Sequence, residues 1–332
     1  MRVLLWNVHT AYTDAFVRGD HDYLIPVDEA RDAWGLGVAG RPWVRAREVE
    51  LGSLREEEID VVVLQRPEEL QLVERLTGRR VGRELPAVYL EHHAPPPDSI
   101  RSRHPLSDQD AIPVVHITHF NDLFWDSGRA RTLVVEHGLP DPGDHYTGGL
   151  AHFGAVVNEP ARRGRVTGTD LLPSFARIAP VDVFGSGGVE LEETYPPEET
   201  GIVAAGDLSP ELLRRELGER RVYLHPHRWT SLGLALIEAM MIGMPVVAVA
   251  ATEAPRAVPH GAGVVSTDLD ELLRASIAYI VDPGLAFEAG QRARHHALHR
   301  FSHATFLRGW DAVLGDVVAS GARGRPVGVG AR

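Results

Sequence analysis

Short runs that are apolar at successive positions dominate this sequence and alternate with helical stretches. In "DVVVLQ" (60–65) and "PVVAVA" (245–250) the interior is continuously apolar rather than apolar at every second residue. Such a strand has to be covered on both faces, which a parallel sheet with helices on each side achieves. We therefore predict an α/β fold throughout. The predicted strands are 3–6, 23–27, 60–64, 87–91, 113–117, 132–136, 154–158, 181–184, 220–224 and 245–250.

Length and composition favour two domains. The chain has 332 residues, 44% of them hydrophobic, which is enough for two cores. It has no cysteine, which excludes disulfides, thiolate metal sites and a cysteine nucleophile. Glycine, proline and aspartate cluster over 138–154, as is typical of a boundary. We expect an N-terminal domain over 1–149, a C-terminal domain over 150–305, a helix over 306–320 that crosses back to the first domain, and a disordered tail over 321–332.

The charge pattern restricts the partners of the chain. The formal net charge is -12, so nucleic acid is not an expected partner. All 34 basic residues are arginine, because the sequence has no lysine, and a cationic anion site must therefore use arginine or a charged histidine. The sequence has no run of 18 apolar residues and no cleavable signal at its start, so we expect a cytoplasmic protein without a transmembrane segment.

The segment "RWTSLGLALIEAMMIGMPVVAVA" (228–250) carries the strongest chemical signal. Thr230 or Ser231 suits an N-cap, 232–242 reads as a helix, and Gly243 suits the position after its end. Within this apolar helix Glu238 has no basic residue a helical turn away. Either the carboxylate lies on a solvent-facing strip or caps a buried amide, or it accepts two hydrogen bonds from the vicinal diol of a nucleotide ribose.

The predicted start of the same helix is a candidate anion site. The backbone amides of Leu232, Gly233 and Leu234 lie at the positive end of the helix dipole, and glycine allows close approach of a ligand. A phosphate there and a ribose one to two turns further along belong to one ligand. The sequence thus indicates a nucleoside diphosphate.

The stretch "TSLGLALIEAMMIGMPVV" (230–247) resembles the donor-site signature of the group 1, or family 4, retaining glycosyltransferases. The similarity continues in "VYLHPH" (222–227) and in "RFSHATFLRGWDAVL" (300–314). It implies the GT-B architecture, two Rossmann-like domains facing across a cleft. It also implies metal-independent transfer of a hexosyl-type group from a nucleoside-diphosphate sugar, with retention of configuration and no further cofactor. The acceptor, whether sugar, lipid or small molecule, is not specified.

The resemblance assigns roles and also shows departures. Glu238 matches the glutamate that binds the ribose, whereas Thr230 stands where the family has a first glutamate beside the transferred sugar. Arg162 matches a diphosphate-binding arginine, and Thr167 replaces the lysine five positions later. The charge of the missing lysine would come from a nearby arginine, either Arg163 or Arg165.

Further site residues follow from the same comparison. Gly185 and Gly187 resemble a turn beside the nucleotide base, although many strand-to-helix turns contain glycine. His92 matches a histidine near the transferred sugar and the acceptor, although a histidine after a strand is often a hydrogen-bonded turn residue. His9 lies in the loop that replaces the family's glycine-rich loop. We predict catalytic roles for His92, Thr230 and Arg162, and substrate contacts for the other residues, Ser231 included.

Two metal-like patterns carry little weight. Asp20 and Asp22 lack the surroundings of a metal site, and His295, His299 and His303 lie where the helical pattern is interrupted. No metal site is predicted. Two other functions stay open: a non-catalytic nucleotide-sugar-binding protein, because two charged donor-site positions are threonine, and, ranked lower, a sugar-nucleotide 2-epimerase.

Overall fold

The computed structural model describes residues 1–96, 98 and 101–323. The chain forms two compact units. Unit 1 comprises Met1–Gly138 and the C-terminal segment that begins at His303, and unit 2 comprises Leu139–Ser302.

The division between the units precedes Leu139, whereas the sequence suggested a boundary at 149. Residues 139–149 belong to unit 2 because they hydrogen-bond to it. The Leu139 amide donates to the Phe301 carbonyl at 3.0 Å, and the Tyr146 hydroxyl donates to the Arg221 carbonyl at 2.9 Å. The division between the compact units depends on these hydrogen bonds.

Unit 1 contains a seven-stranded sheet of order β3-β2-β1-β4-β5-β6-β7 in which every strand pair is parallel. Its strands are β1 (Arg2–Leu5), β2 (Asp22–Val27), β3 (Ala46–Glu50), β4 (Val61–Leu64), β5 (Ala87–Glu91), β6 (Val114–His116) and β7 (Thr132–Val134). Its helices are α1 (Thr10–Phe16), α2 (Pro67–Thr77), α3 (His119–Phe124) and the C-terminal helix, which is α13 (His303–Arg323).

The C-terminal helix packs on unit 1. Its residues Phe306, Trp310 and Leu314 are buried in one core cluster with strand residues such as Val63. The Trp310 indole N–H donates to the Tyr12 hydroxyl at 2.8 Å. Most of the predicted disordered tail lies outside the described residues, but its first residues continue the helix to Arg323.

Unit 2 contains a six-stranded parallel sheet of order β10-β9-β8-β11-β12-β13. Its strands are β8 (Leu150–Val156), β9 (Val181–Phe184), β10 (Ile202–Gly206), β11 (Arg220–His225), β12 (Val246–Val249) and β13 (Gly263–Ser266). Its helices are α4 (Pro160–Arg163), α5 (Leu172–Ala176), α6 (Gly188–Thr194), α7 (Pro197–Thr200), α8 (Pro210–Glu219), α9 (Leu234–Met241), α10 (Ala254–Ala257), α11 (Leu269–Val281) and α12 (Pro283–Arg300).

Both units confirm the predicted α/β class. Inner strands such as β4 and β11 are buried along most of their length, as their apolar sequences require. Gly243, with a φ of +98°, follows the end of α9 and allows the chain to turn directly into β12. Among the described residues, no helix combines the length and the apolar character needed to cross a membrane.

Candidate functional site

The strand order of unit 2 places its ligand-binding edge. The adjacent strands β8 and β11 are separated in sequence by β9 and β10. The chain continues from β8 toward one edge of the sheet and from β11 toward the other edge, so the strand order reverses between them. Ligands of open α/β sheets bind at the carboxyl ends of the strands at such a reversal. The connection after β8 contains Arg162 and Arg163, which lie in α4, and the connection after β11 contains residues 226–233. Together these two connections hold most of the predicted donor-site residues.

The start of α9 differs from the prediction. The helix begins at Leu234 with Gly233 as its N-cap residue, at φ −66° and ψ 130°, and no side chain caps it. Thr230 and Ser231 are therefore not caps, which corrects the prediction; Thr230 is partly exposed in the preceding loop, and Ser231 is buried. The apolar Leu232 side chain packs into the core of unit 2. The uncapped first-turn amides of α9 remain available to an anion.

Glu238 has a basic partner that the sequence did not indicate. Arg214 of α8 donates from its Nη2 to the Glu238 Oε1 at 2.9 Å, and the two side chains are 32% and 25% exposed. Glu238 is thus partly buried, and it does not point into bulk solvent. One carboxylate oxygen is engaged by arginine in the ligand-free protein, and the other has no hydrogen-bond donor among the described residues.

The three arginines predicted for the diphosphate are not equivalent. Arg162 pairs with Glu159 on its own helical turn, through a 2.8 Å bond from its Nε, and Arg165 pairs with Asp170 at 3.0 Å. Arg163 makes no side-chain hydrogen bond or ion pair with any described residue. Arg163 is therefore the cation of this group that an anion meets without first breaking an ion pair.

The threonine at the position of the expected lysine has a structural role. Thr167 is fully buried, and its hydroxyl donates to the Gly164 carbonyl at 3.1 Å and lies 3.0 Å from the Thr169 hydroxyl. These bonds hold the tight loop after α4. A side chain that points into this loop does not extend toward the strand ends.

The two glycines after β9 occupy backbone conformations that favour glycine. Gly185 and Gly187 have φ values of +119° and +82°. A Cβ on Gly185 would lie 2.7 Å from the Val157 carbonyl oxygen, so the two loops approach closely. Gly187 lines a cavity of about 490 Å³ at this edge of unit 2. The other lining residues are Glu159, Ala161, Arg162, Ser186 and Glu190.

Sequence reasoning missed a pair of histidines at the end of β11. The rings of His225 and His227 stack with their centroids 4.5 Å apart. Burial lowers the pKa of His225 well below its usual value. The pKa of His227 is lowered to about 4, chiefly by burial and secondarily by the positive charge of Arg163. The available signal was polar residues directly after a buried strand.

The two histidines predicted in unit 1 lie together. The rings of His9 and His92 are 4.2 Å apart at the carboxyl ends of β1 and β5. The Gln65 amide group orients His92, because its Nε2 donates to the Trp6 carbonyl at 2.7 Å and its Oε1 therefore accepts from the His92 Nε2 at 2.9 Å. Burial lowers the pKa of His9 to about 4, with His93 as the next cause, and it lowers that of His92 well below the usual value. Both rings are neutral at neutral pH.

A buried carboxylate beside these histidines was also missed. Glu91 accepts from the His93 amide at 2.7 Å and from the His104 Nε2 at 3.2 Å. Burial alone would raise the pKa of Glu91, but the hydrogen bonds from His104 and His93 hold it at about 2. Leu106 donates its amide to the His104 Nδ1, so the Nε2 is the ring nitrogen that donates to Glu91. The carboxylate stays ionised as a fixed negative charge at this edge of unit 1.

The metal-like patterns do not form a metal site in the described part of the chain, where no three histidine, aspartate or glutamate side chains are grouped closely enough to hold an ion. Asp20 and Asp22 both lie near Arg45, at 2.6 and 3.8 Å. His303 begins α13, and its Nε2 lies 2.8 Å from the Ala15 carbonyl oxygen, with which it can form a hydrogen bond.

Comparison with known proteins identifies the class to which this fold belongs. Sucrose-phosphate synthase from Thermosynechococcus elongatus has a TM-score of 0.74 at 14% identity, over 96% of this chain and 100% of that one. HepE from Anabaena, solved with UDP and glucose, has a TM-score of 0.69 at 17% identity, over 95% and 100%. TarM from S. aureus, solved with UDP, has a TM-score of 0.62 at 14% identity. The match includes 76% of this chain but only 55% of the longer TarM chain. The chain has the GT-B fold of two Rossmann-like units, as predicted.

A family model supports the same class for part of the chain. Residues 170–282 match the model described as glycosyl transferases group 1. The match includes the loop after β11 and all of α9. None of the curated proteins matches the sequence.

Proposed function

We propose that this protein is a group 1 glycosyltransferase that moves a hexosyl-type group from a nucleoside-diphosphate sugar to an acceptor, with retention of configuration and without a metal ion. One observation carries the proposal. In unit 2 the uncapped start of α9 and the partly buried carboxylate of Glu238 on that helix adjoin the carboxyl edge of a parallel sheet, within the region that matches the group 1 model. The unpaired Arg163 lies shortly before the matched region.

The donor's diphosphate suits the start of α9. The first-turn amides of the helix carry a partial positive charge, and Gly233 leaves room for close approach. Arg163 adds a full charge without first leaving a carboxylate. Cleavage of the bond between sugar and phosphate leaves negative charge on the diphosphate, so groups fixed at this place stabilise the transition state. No metal ion is needed for this neutralisation.

The ribose suits Glu238. The helix places this side chain about one turn beyond its first residue, which is the distance from a diphosphate to its ribose. The carboxylate can accept hydrogen bonds from the two neighbouring hydroxyls, and Arg214 contacts only one of its two oxygens. The catalytic roles of His92, Thr230 and Arg162, and the contacts of His9, Arg165 and Gly185, remain proposals that rest on the resemblance.

A non-catalytic nucleotide-sugar-binding protein is the second candidate. One observation favours it: Arg162 and Arg165 are already paired with Glu159 and Asp170, and Thr167 is buried. The positive charge that the protein offers to the diphosphate of the donor is therefore lower than the sequence resemblance implies. Binding through α9 and Glu238 alone would still retain a nucleotide.

One assay separates the candidates. The purified protein is incubated with UDP, GDP, ADP and TDP sugars, with and without a panel of sugar and lipid acceptors, and release of nucleoside diphosphate is followed. A transferase releases diphosphate and forms a glycoside whose anomeric configuration, read by NMR, matches that of the donor. Tight binding without release supports the binding protein, and sugar interconversion without release supports an epimerase. Absence of binding to every donor refutes the proposal.

A further inference from the structure

The histidine pair after β11 is incompletely hydrogen-bonded. His225 is only 2% exposed, and the Nδ1 atoms of both His225 and His227 are buried without a hydrogen-bond partner among the described residues. Buried ring nitrogens are almost always paired in folded proteins, and leaving one unpaired costs stability. Because these two rings lie at the carboxyl end of β11, they are candidates to hydrogen-bond a ligand there.

The pair lies beside the start of α9. A Cβ built on Gly233, the residue before the helix, would be 3.7 Å from the His225 Cε1. The loop after β11 also touches the loop that follows α4. The Arg228 amide donates to the Val166 carbonyl at 3.0 Å, and a Cβ on Gly168 would lie 1.9 Å from the Pro226 carbonyl oxygen. The stacked rings therefore lie between the helix start and the segment that carries the unpaired arginine.

The charged side chains of the loops around His227 carry more positive than negative charge. From the neighbouring segment, Arg163 faces the ring, while Arg162 is neutralised by Glu159. The other charged groups of these two loops pair with each other. They are Arg165 and Arg228, which share the carboxylate of Asp170. The Arg163 charge and burial keep His227 neutral in the free protein, and an anion bound here reverses that balance by favouring the imidazolium.

We propose that His227, supported by the stacked ring of His225, binds the diphosphate of the donor and takes up a proton from solvent as it does so. The inference rests on the proposed function and names a group that the resemblance did not assign. The imidazolium donates a hydrogen bond to a phosphate oxygen, next to Arg163 and the amides of α9. The site thereby gains a cation only when the nucleotide is present.

Proton uptake on binding makes the affinity depend on pH. If the complex holds more protons on His227 than the free protein does, lowering the pH tightens binding. The probes are inorganic pyrophosphate and the tightest binder among UDP, GDP, ADP and TDP. Isothermal titration calorimetry in buffers of different ionisation enthalpy measures both the dissociation constant and the protons taken up. Because the ligand titrates identically in both experiments, comparing the variant with the wild-type protein on the same ligand cancels the ligand's own contribution.

The test uses the full chain with His227→Gln, and with His227→Asn if the first variant unfolds at a lower temperature. His260→Gln, at an exposed histidine in the segment that follows α10, is the matched control. We expect His227→Gln to bind both probes about tenfold more weakly at about pH 6, with a smaller difference at about pH 8 and with reduced proton uptake. The control should match the wild-type protein.

The outcomes are distinguishable. Unchanged affinity and proton uptake in His227→Gln overturn this inference and leave the proposed function standing. Failure of the wild-type protein to bind pyrophosphate and every nucleoside diphosphate overturns both. An equal loss in the His260→Gln control also overturns the inference, because it shows that the effect does not depend on the ring at 227.

Discussion

Replacement of Glu238 by glutamine tests the donor site most directly. The substitution keeps the shape of the side chain and removes its charge. It also replaces the ion pair with the Arg214 Nη2 by a neutral hydrogen bond to the amide oxygen. The change therefore acts on nucleotide binding and on stability, and the two effects have to be measured separately.

The structure sets the scale of each effect. A hydrogen bond between a carboxylate and a ribose hydroxyl contributes about 1 to 3 kcal/mol, so Glu238→Gln should weaken nucleotide binding roughly 5- to 150-fold. The ion pair with Arg214 is between a quarter and a third exposed, so its loss should reduce the free energy of unfolding by only about 1 kcal/mol. Arg214→Met removes the same ion pair but keeps the carboxylate, and it relieves the buried, unpaired Nε of that arginine.

The assay pairs the two variants. Titration calorimetry with the nucleoside diphosphate that binds best gives the affinity, and urea unfolding without ligand gives the stability. We expect Glu238→Gln to lose affinity within the stated range, and Arg214→Met to bind within about threefold of wild type, since it frees the carboxylate for the ribose. Both should unfold at similar urea concentrations.

Two results would refute this reasoning. Unchanged affinity in Glu238→Gln would make the glutamate a structural partner of Arg214 and nothing more. Equal losses of affinity in both variants would show that the ion pair supports the site only by holding α8 and α9 together.

Three further predictions follow from the described contacts. Arg163→Ala should weaken nucleotide binding by roughly tenfold in the same titration, and Arg162→Ala clearly less because its charge is already paired; the reverse order would contradict the assignment. Burial lowers the pKa of His116 to about 4 from an ordinary 6.5, so the neutral ring stabilises the fold above pH 6.5 and this contribution is lost as the pH falls toward 4. His116→Phe should therefore reduce, by about 2 kcal/mol, the loss in unfolding free energy between about pH 7 and pH 5, and an unchanged loss would refute it. Gly168 has a φ of +75°, and a Cβ added there would lie 1.9 Å from a backbone oxygen, so Gly168→Ala should lower the unfolding free energy by about 1 to 3 kcal/mol. Gly315→Ala, where the added Cβ meets open space, should be neutral or stabilising. Equal effects of the two substitutions would argue against backbone crowding at Gly168.

The strands that the sequence did not reveal are all at sheet edges. β3, β10 and β13 were absent from the predicted set, and each is the outermost strand of its sheet. Their residues are mostly half-buried or exposed, unlike those of the inner strands. An edge strand has less need of a continuous apolar run, so the signal that revealed the inner strands is weak there.

The candidate site shows a similar limit of prediction from sequence. Sequence reasoning selected α9, Glu238 and the arginines after β8, because a carboxylate within an apolar helix and basic residues after a buried strand are visible in one dimension. It placed the helix start too early, because a capping preference is a local tendency and Gly233, not Thr230 or Ser231, takes the N-cap position.

By itself, the sequence determined the α/β class, the strand that follows Gly243 and the place of a carboxylate on α9. These depend on residues that are neighbours along the chain. Tertiary structure alone decided that Arg214 of α8 pairs with Glu238 of α9, that Arg228 shares Asp170 with Arg165, and that the His225 ring at the end of β11 lies beside the residue before α9. Each of these partners is brought together by the packing of separate helices, strands and loops, and charge balance at a site depends on that packing.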